Sequence, residues 1–127
     1  MIRDAAGALL QAQSDAEAER RAGTAWLLGH PDLSRPVLVD AVRDGTGTAP
    51  ETCLRLLAAV GGEGAVDALE TALLRGHRGE SFYAAVALAE VGEEGLAVLR
   101  SHAEHADPAV RDAVAAGLRV AREPDGP

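Results

Sequence analysis

Two histidines in this chain stand at the spacing that comes closest to a metal site. His102 and His105 share one face of a predicted helix, because side chains at i and i+3 are neighbours on a helix. Glu104 and Asp107 lie beside them, but no third ligand stands at a recognisable distance. A histidine near the last turn of a helix also suits the helix dipole. We therefore expect a solvated helix end, with no bound metal and no other cofactor.

The single cysteine, Cys53, is the candidate nucleophile of the sequence. A reactive thiol needs a histidine or a positive charge nearby to lower its pKa, and the sequence places neither beside it. Across the repeat described below, Cys53 aligns with Ala84 and Val114, which are small apolar positions. We expect a buried thiol that acts as a small hydrophobic group, in a protein that is not an enzyme. A lone cysteine also forms no internal disulfide, which agrees with a cytoplasmic location.

The chain repeats itself about every 31 residues. The segment LAAVGGEG at 57–64 returns as LAEVGEEG at 88–95, with six of eight residues identical. One helical hairpin of this length cannot bury its apolar face alone, so the period predicts stacked hairpins that share a core. Alanine, leucine, glutamate and arginine are plentiful and strand-forming residues are scarce, which predicts an all-α fold.

Capping patterns and glycines divide the chain into helices. Capping patterns predict starts after Ser14, Thr48 and Asp107. Stops are predicted at five glycines, namely Gly29, Gly45, Gly61, Gly76 and Gly92. The resulting helices are a first one at 2–13, three hairpins at 15–28 with 33–44, 49–60 with 63–75 and 80–91 with 93–105, and a last one at 108–122. Residues 1–122 would form a single domain and residues 123–127 a frayed polar tail.

The last predicted helix carries a resemblance to a known family. Its sequence at 107–118, DPAVRDAVAAGL, resembles the first helix of a HEAT repeat, in which Asp-Pro is followed by Val-Arg and by small residues ending in leucine. Residues 57–61 and 88–92 resemble the end of that helix. In those two units Pro50 and Ser81 stand where the arginine of the Val-Arg step aligns.

Residues 20–29 resemble another copy of the same helix, in which either Trp26 or Leu28 takes the position of the final leucine. The resemblance extends to short bacterial repeats similar to those of bilin lyases. It implies a short right-handed α-α superhelix, a HEAT-like solenoid of about three hairpins with a flanking helix at each end. It also implies a scaffold that binds another protein, although a minority of such folds are enzymes.

Acidic residues dominate the charge of the chain, which is -8. This charge disfavours nucleic acids and anionic membranes as partners unless the arginines gather on one face. The second helices of the hairpins, which line the concave side of a HEAT-like superhelix, carry eight acidic residues against four arginines. We expect this surface to bind a basic segment of a protein partner, the alternative being an ordinary solvated helix face. The expected contacts are Asp40, Asp67, Glu70 and Glu94.

Phe82 breaks the repeat pattern, because it occupies the position held by Glu51 and Asp112 in the other units. An aromatic residue at a position that should face water could be an apolar anchor for a partner, with Tyr83 beside it. The alternative is that this hairpin rotates and packs Phe82 against a neighbouring helix.

Three further roles remain open from the sequence. The chain could be an inhibitor or immunity-type partner of a basic enzyme, or a bilin-lyase-like enzyme. It could also form a homodimer through the last helix, because an unpaired helix would expose Val110, Val114 and Leu118 on one side. No signal peptide or membrane-spanning segment is recognisable, so we expect a cytoplasmic protein.

Overall fold

The computed structural model describes residues 2–45, 49–75 and 77–122, and within these ranges the regular structure is entirely helical. The described helices are α1 (Ala5–Ala12), α2 (Glu17–Gly29), α3 (Pro31–Asp44), α4 (Pro50–Val60), α5 (Ala65–Leu74), α6 (Arg78–Val91), α7 (Glu93–Ser101) and α8 (Pro108–Arg122). The predicted all-α class is confirmed. Each predicted helix has a counterpart whose bounds differ from the prediction by a few residues at most.

The helix starts show which predicted caps form. Asp107 Oδ1 accepts from Ala109 N at 2.9 Å and α8 begins at Pro108, as predicted. The predicted capping box at Ser14 is wrong. Its hydroxyl accepts from Ala16 N at 3.0 Å, two residues on, and so forms a turn before α2 begins. The cap predicted at Thr48 lies outside the described residues.

Three of the described helices, α3, α4 and α6, end at predicted glycines. Gly61 and Gly92, which are 31 residues apart, follow α4 and α6 with φ of +61° and +117°, a region that favours glycine. Gly45 ends α3 in the left-handed conformation. The stop predicted at Gly29 is different, because Gly29 is itself the last helical residue of α2 and α3 begins two residues later. Gly76 lies outside the described residues.

The helices pack in two sets. The contacts within one set run from α2 to α4, from α4 to α6 and from α6 to α8, and those within the other run from α3 to α5 and from α5 to α7. Each helix also contacts the next along the chain, and α1 packs on α2 and α3. Alanine and leucine supply most of the core between the two sets. In α2, Leu27 is fully buried, Trp26 is half-buried and Leu28 is exposed.

Three helical glycines lie where one backbone meets another. A Cβ added at Gly95 in α7 would lie 1.8 Å from Leu88 O in α6. A Cβ at Gly23 in α2 would lie 2.4 Å from Ala8 O in α1. One at Gly117 in α8 would lie 2.9 Å from Ala85 O in α6. A side chain at any of these positions would therefore push two helices apart.

The last helix packs with its apolar side inward. Val110 and Val114 are fully buried and Leu118 is half-buried against the same core, mainly through contacts with α6. The reason given above for a homodimer is therefore wrong, because these residues are covered within the chain. The exposed residues of α8 include Arg111, Asp112, Ala115 and Arg119, and near its end the apolar Val120. Among the described residues, no helix has both the length and the apolar character needed to cross a lipid bilayer.

Candidate interaction surfaces

Carboxylates surround a groove of about 720 Å³ between the start of α5 and the start of α7. We call it the acidic groove. It is lined by Gly62, Glu63, Gly64, Val66, Asp67, Val91, Glu93 and Glu94. Its four acidic residues are exposed, and among the described residues that line it none is basic.

The first wall of the acidic groove is held in place by α3. Arg35 Nε donates to Gly61 O at 2.7 Å, and its guanidinium also lies 3.4 Å from the carboxylate of Asp32. A Cβ at Gly62 would lie 2.2 Å from Arg35 Nε, so glycine leaves room for the arginine. The loop that carries Glu63 is thus fixed by a charged hydrogen bond from the preceding hairpin.

The second wall is the first turn of α7. Gly92 turns the chain, and Glu93 and Glu94 follow directly as the first helical residues. Asp67 has the corresponding place in the first turn of α5. Negative side chains are favourable near a helix N-terminus, so these carboxylates also stabilise the helices that present them.

Two of the acidic residues predicted as contacts, Asp67 and Glu94, meet in the acidic groove. Glu70 is not among the groove residues, and its Oε2 lies 2.7 Å from His102 Nε2, a contact that joins α5 to the end of α7. Asp40 is exposed on α3 and is not among the groove residues. The structure adds Glu63 and Glu93 to the predicted set. Both stood among the acidic residues counted on the second helices, but their position in the groove depends on how α5 and α7 pack.

The aromatic pair lies on α6, away from the acidic groove lining. Phe82 is 42% exposed, so a large part of its ring faces solvent. Tyr83 is half-buried against the core, and the two rings meet edge to face with centroids 5.4 Å apart. Phe82 therefore presents apolar surface to solvent while its ring contacts that of Tyr83.

The two histidines have separate partners. His102 bonds to Glu70, and His105 Nδ1 accepts from Asp107 N at 3.0 Å. Their ring centroids lie 5.7 Å apart. Within the part of the chain that the structure describes, no three histidine, cysteine or acidic side chains are grouped so that they could hold a metal ion.

Cys53 is buried, as predicted, with 2% of its surface exposed. Its thiol lies 3.5 Å from Gln13 Oε1, to which it donates. Burial raises the pKa of the Cys53 thiol, because a thiolate would lose its hydration in the core. This shift is opposite to the one that activates a nucleophile.

A second groove, of about 700 Å³, lies between α2 and α4 and was not predicted from the sequence. We call it the arginine groove. It is lined by Arg20, Arg21, Thr24, Ala25, Leu28, Thr52, Arg55, Leu56, Ala59 and Glu90. Arg20 and Arg21 stand next to each other in the sequence, but Arg55 joins them only because α4 packs on α2. Three arginines thus gather on one face, which is the condition that the sequence left open.

Comparison with protein-family models, with curated proteins and with solved structures found no match for this chain. Its function has to be inferred from the residues and their arrangement.

Proposed function

We propose that this chain is a non-catalytic protein-interaction module, built as a short right-handed HEAT-like superhelix, whose acidic groove binds a basic segment of a protein partner. The observation that carries the proposal is the meeting of four exposed carboxylates around one groove, with no basic residue among the described residues that line it. The carboxylates come from two helices and the loop before one of them, so a single extended partner would meet all four.

The order of helix contacts supports the superhelix. In stacked hairpins the first helices of successive units contact each other, and so do the second helices. The sets α2, α4, α6, α8 and α3, α5, α7 follow this order, with α1 in the place of a second helix that precedes the first complete hairpin. In this arrangement the acidic groove lies between the second helices of two adjacent units.

Electrostatics supports a basic partner. Like charges that line one groove repel each other and raise the local concentration of cations. Glu93 lies 4.0 Å from Arg100, but both side chains are mostly exposed and such a pair is weak. A lysine-rich or arginine-rich segment would replace this weak contact and relieve the repulsion among the other carboxylates.

The chemistry of the thiol supports a non-catalytic role. Cys53 is the chain's one cysteine, and burial raises its pKa. Nucleophilic cysteines have a lowered pKa and access to substrate. A buried thiol that donates to an amide oxygen fits a core position better.

Binding of a fluorescein-labelled arginine-rich peptide, followed by fluorescence anisotropy, tests the proposal. The groove variant carries Glu63→Gln, Asp67→Asn and Glu94→Gln. The control variant carries Glu19→Gln, Asp44→Asn and Asp112→Asn, three exposed positions outside the groove, and has the same net charge. We expect the groove variant to bind about tenfold more weakly or worse, since each lost ion pair contributes up to about 1 kcal/mol. An equal loss in both variants would reject the groove as the binding site.

A further inference from the structure

We infer that the arginine groove is a second binding surface, and that it takes an acidic, amphipathic segment of a protein partner. The inference does not depend on the acidic groove, because the two linings share no residue, although Glu90 and Val91 of α6 are neighbours that belong to one lining each.

The shape of the arginine groove suits a segment with an apolar side. On α2 its residues are at 20, 21, 24, 25 and 28, and on α4 at 52, 55, 56 and 59, which places each set on one helix face. Ala25 and Ala59 are small and exposed, and Leu56 closes the floor. Leu28 is 46% exposed at the edge. A partner's leucine or valine could therefore lie between the two helices and cover Leu28.

The arginines around this floor can change partners at little cost. Arg21 lies 2.7 Å from Glu17, and Arg55 lies 3.6 Å from Glu51. Each pair joins residues i and i+4 on the exposed face of its own helix, where such a pair contributes only about 0.3–0.5 kcal/mol to stability. Either guanidinium could turn to a partner's carboxylate and form a bidentate contact instead.

Arg20 makes its described contacts with backbone. Its Nη1 donates to Ser14 O at 3.2 Å and to Asp15 O at 3.5 Å, and neither of these carbonyls carries a net charge. Glu90 contributes one negative charge to the lining against the three arginines. The residues of the lining thus carry a net positive charge in a chain whose total charge is -8, while Glu17 and Glu51 lie just outside it and pair with Arg21 and Arg55. An acidic ligand would bind by replacing these two exposed glutamates as partners of the arginines.

A protein segment fits these charges better than a nucleic acid does. The affinity of a protein for a phosphate backbone depends on how many phosphates its lysines and arginines neutralise. Three arginines would leave most of a phosphate backbone facing an acidic surface. Carboxylates that alternate with apolar side chains use both the arginines and the floor.

Fluorescence anisotropy with designed peptides tests the inference. The probe is a fluorescein-labelled helical peptide with glutamates on one face and leucines on the other, and its matched control has glutamine in place of each glutamate. The groove variant carries Arg20→Gln, Arg21→Gln and Arg55→Gln. The control variant carries Arg43→Gln, Arg111→Gln and Arg119→Gln, which are exposed arginines on α3 and α8, and it has the same net charge.

We expect the groove variant to bind the acidic peptide about tenfold more weakly or worse, and the control variant to bind within about twofold of the natural chain. Leu28→Gln should also weaken binding. If circular dichroism shows that the triple variant is unfolded, Arg55→Gln alone replaces it, and about a threefold loss is then expected. The variant of the acidic groove defined above (Glu63→Gln, Asp67→Asn and Glu94→Gln) should bind the acidic peptide at least as tightly as the natural chain. The two experiments can therefore reject the proposed acidic-groove function and the arginine-groove inference separately.

Four outcomes would overturn the inference. They are equal binding of the glutamine peptide, equal loss in the control variant, no binding of the acidic peptide, and tighter binding of a single-stranded oligonucleotide through the same arginines.

Discussion

The two walls of the acidic groove carry copies of one sequence, 31 residues apart, that begin their helices at different points. In the first copy, Gly61, Gly62 and Gly64 all have positive φ, and α5 begins only at Ala65. In the second copy only the first of the three equivalent positions, Gly92, has positive φ, and α7 begins at the next residue. Similar sequence thus gives two different helix starts.

The neighbouring hairpin explains the difference. Arg35 reaches from α3 to the carbonyl of Gly61 and takes the space beside Gly62. Thirty-one residues later Val66 stands at the position of Arg35 and Glu93 at that of Gly62. A valine has no donor to hold the loop open, and a glutamate favours the first turn of a helix. A repeat is therefore specified by its neighbours as well as by its own sequence.

The largest predicted difference between the two walls is the loss of stability when the last glycine of each copy is replaced by alanine. Gly95→Ala should lower the free energy of unfolding by about 3 kcal/mol, because the new Cβ would lie 1.8 Å from the backbone oxygen of Leu88. Gly64→Ala should cost roughly 1–2 kcal/mol. The only atom near the added Cβ is Val39 Cγ2, at 3.9 Å, but the backbone φ of +84° at position 64 is strained for alanine. Urea unfolding followed by circular dichroism measures both, and equal losses would contradict the different roles of the two glycines.

Removing Arg35, which holds the first wall and is replaced by Val66 at the second, should have the next largest effect on stability. Arg35→Met keeps the aliphatic stem but loses the donor to Gly61 O, and should cost about 1.5 kcal/mol. Arg43→Met, at an exposed arginine of the same helix, is the matched control and should cost less than about 0.5 kcal/mol. Hydrogen exchange at residues 61–64 should become faster in the first variant only. Unchanged exchange there would mean that the arginine does not hold the first wall.

The smallest predicted effect compares equivalent core positions, Cys53 in α4 and Ala84 in α6. Since burial raises the pKa of the Cys53 thiol, its contribution to stability is complete below the pKa of the unfolded thiol, about 8.5, and is lost as the pH rises above it. Cys53→Ala introduces the residue found at the equivalent position, Ala84. As the pH rises from 7 to 10, the stability of this variant relative to that of the natural chain should increase, by less than about 2 kcal/mol. Urea midpoints of both proteins at the two pH values test this. A constant difference between them would contradict a buried thiol.

Local rules predicted the helices well, because caps and glycines act within a few residues. Asp107 and Pro108 predicted both the start of α8 and the register of its buried valines. They did not predict which helix covers those valines. Covering them requires α6, whose contact with α8 lies beyond local sequence rules.

The arginine groove could not be predicted for a similar reason. Arg20 and Arg55 lie on separate helices, and the resemblance left the register of α2 open between Trp26 and Leu28. The structure buries Leu27 and leaves Leu28 at the groove edge. A shift of one residue rotates a helix face by about 100°, so this register decides which charges meet.

The alanine-rich core has a consequence for how stability varies with temperature. An alanine buries little apolar surface, and the heat capacity change of unfolding grows with the apolar surface that unfolding exposes. We therefore expect this change to lie at or below the usual value of about 12–15 cal/mol/K per residue. A small heat capacity change flattens the curve of free energy against temperature. The stability of the fold that shapes the two grooves would then change little over the range of temperature around its maximum.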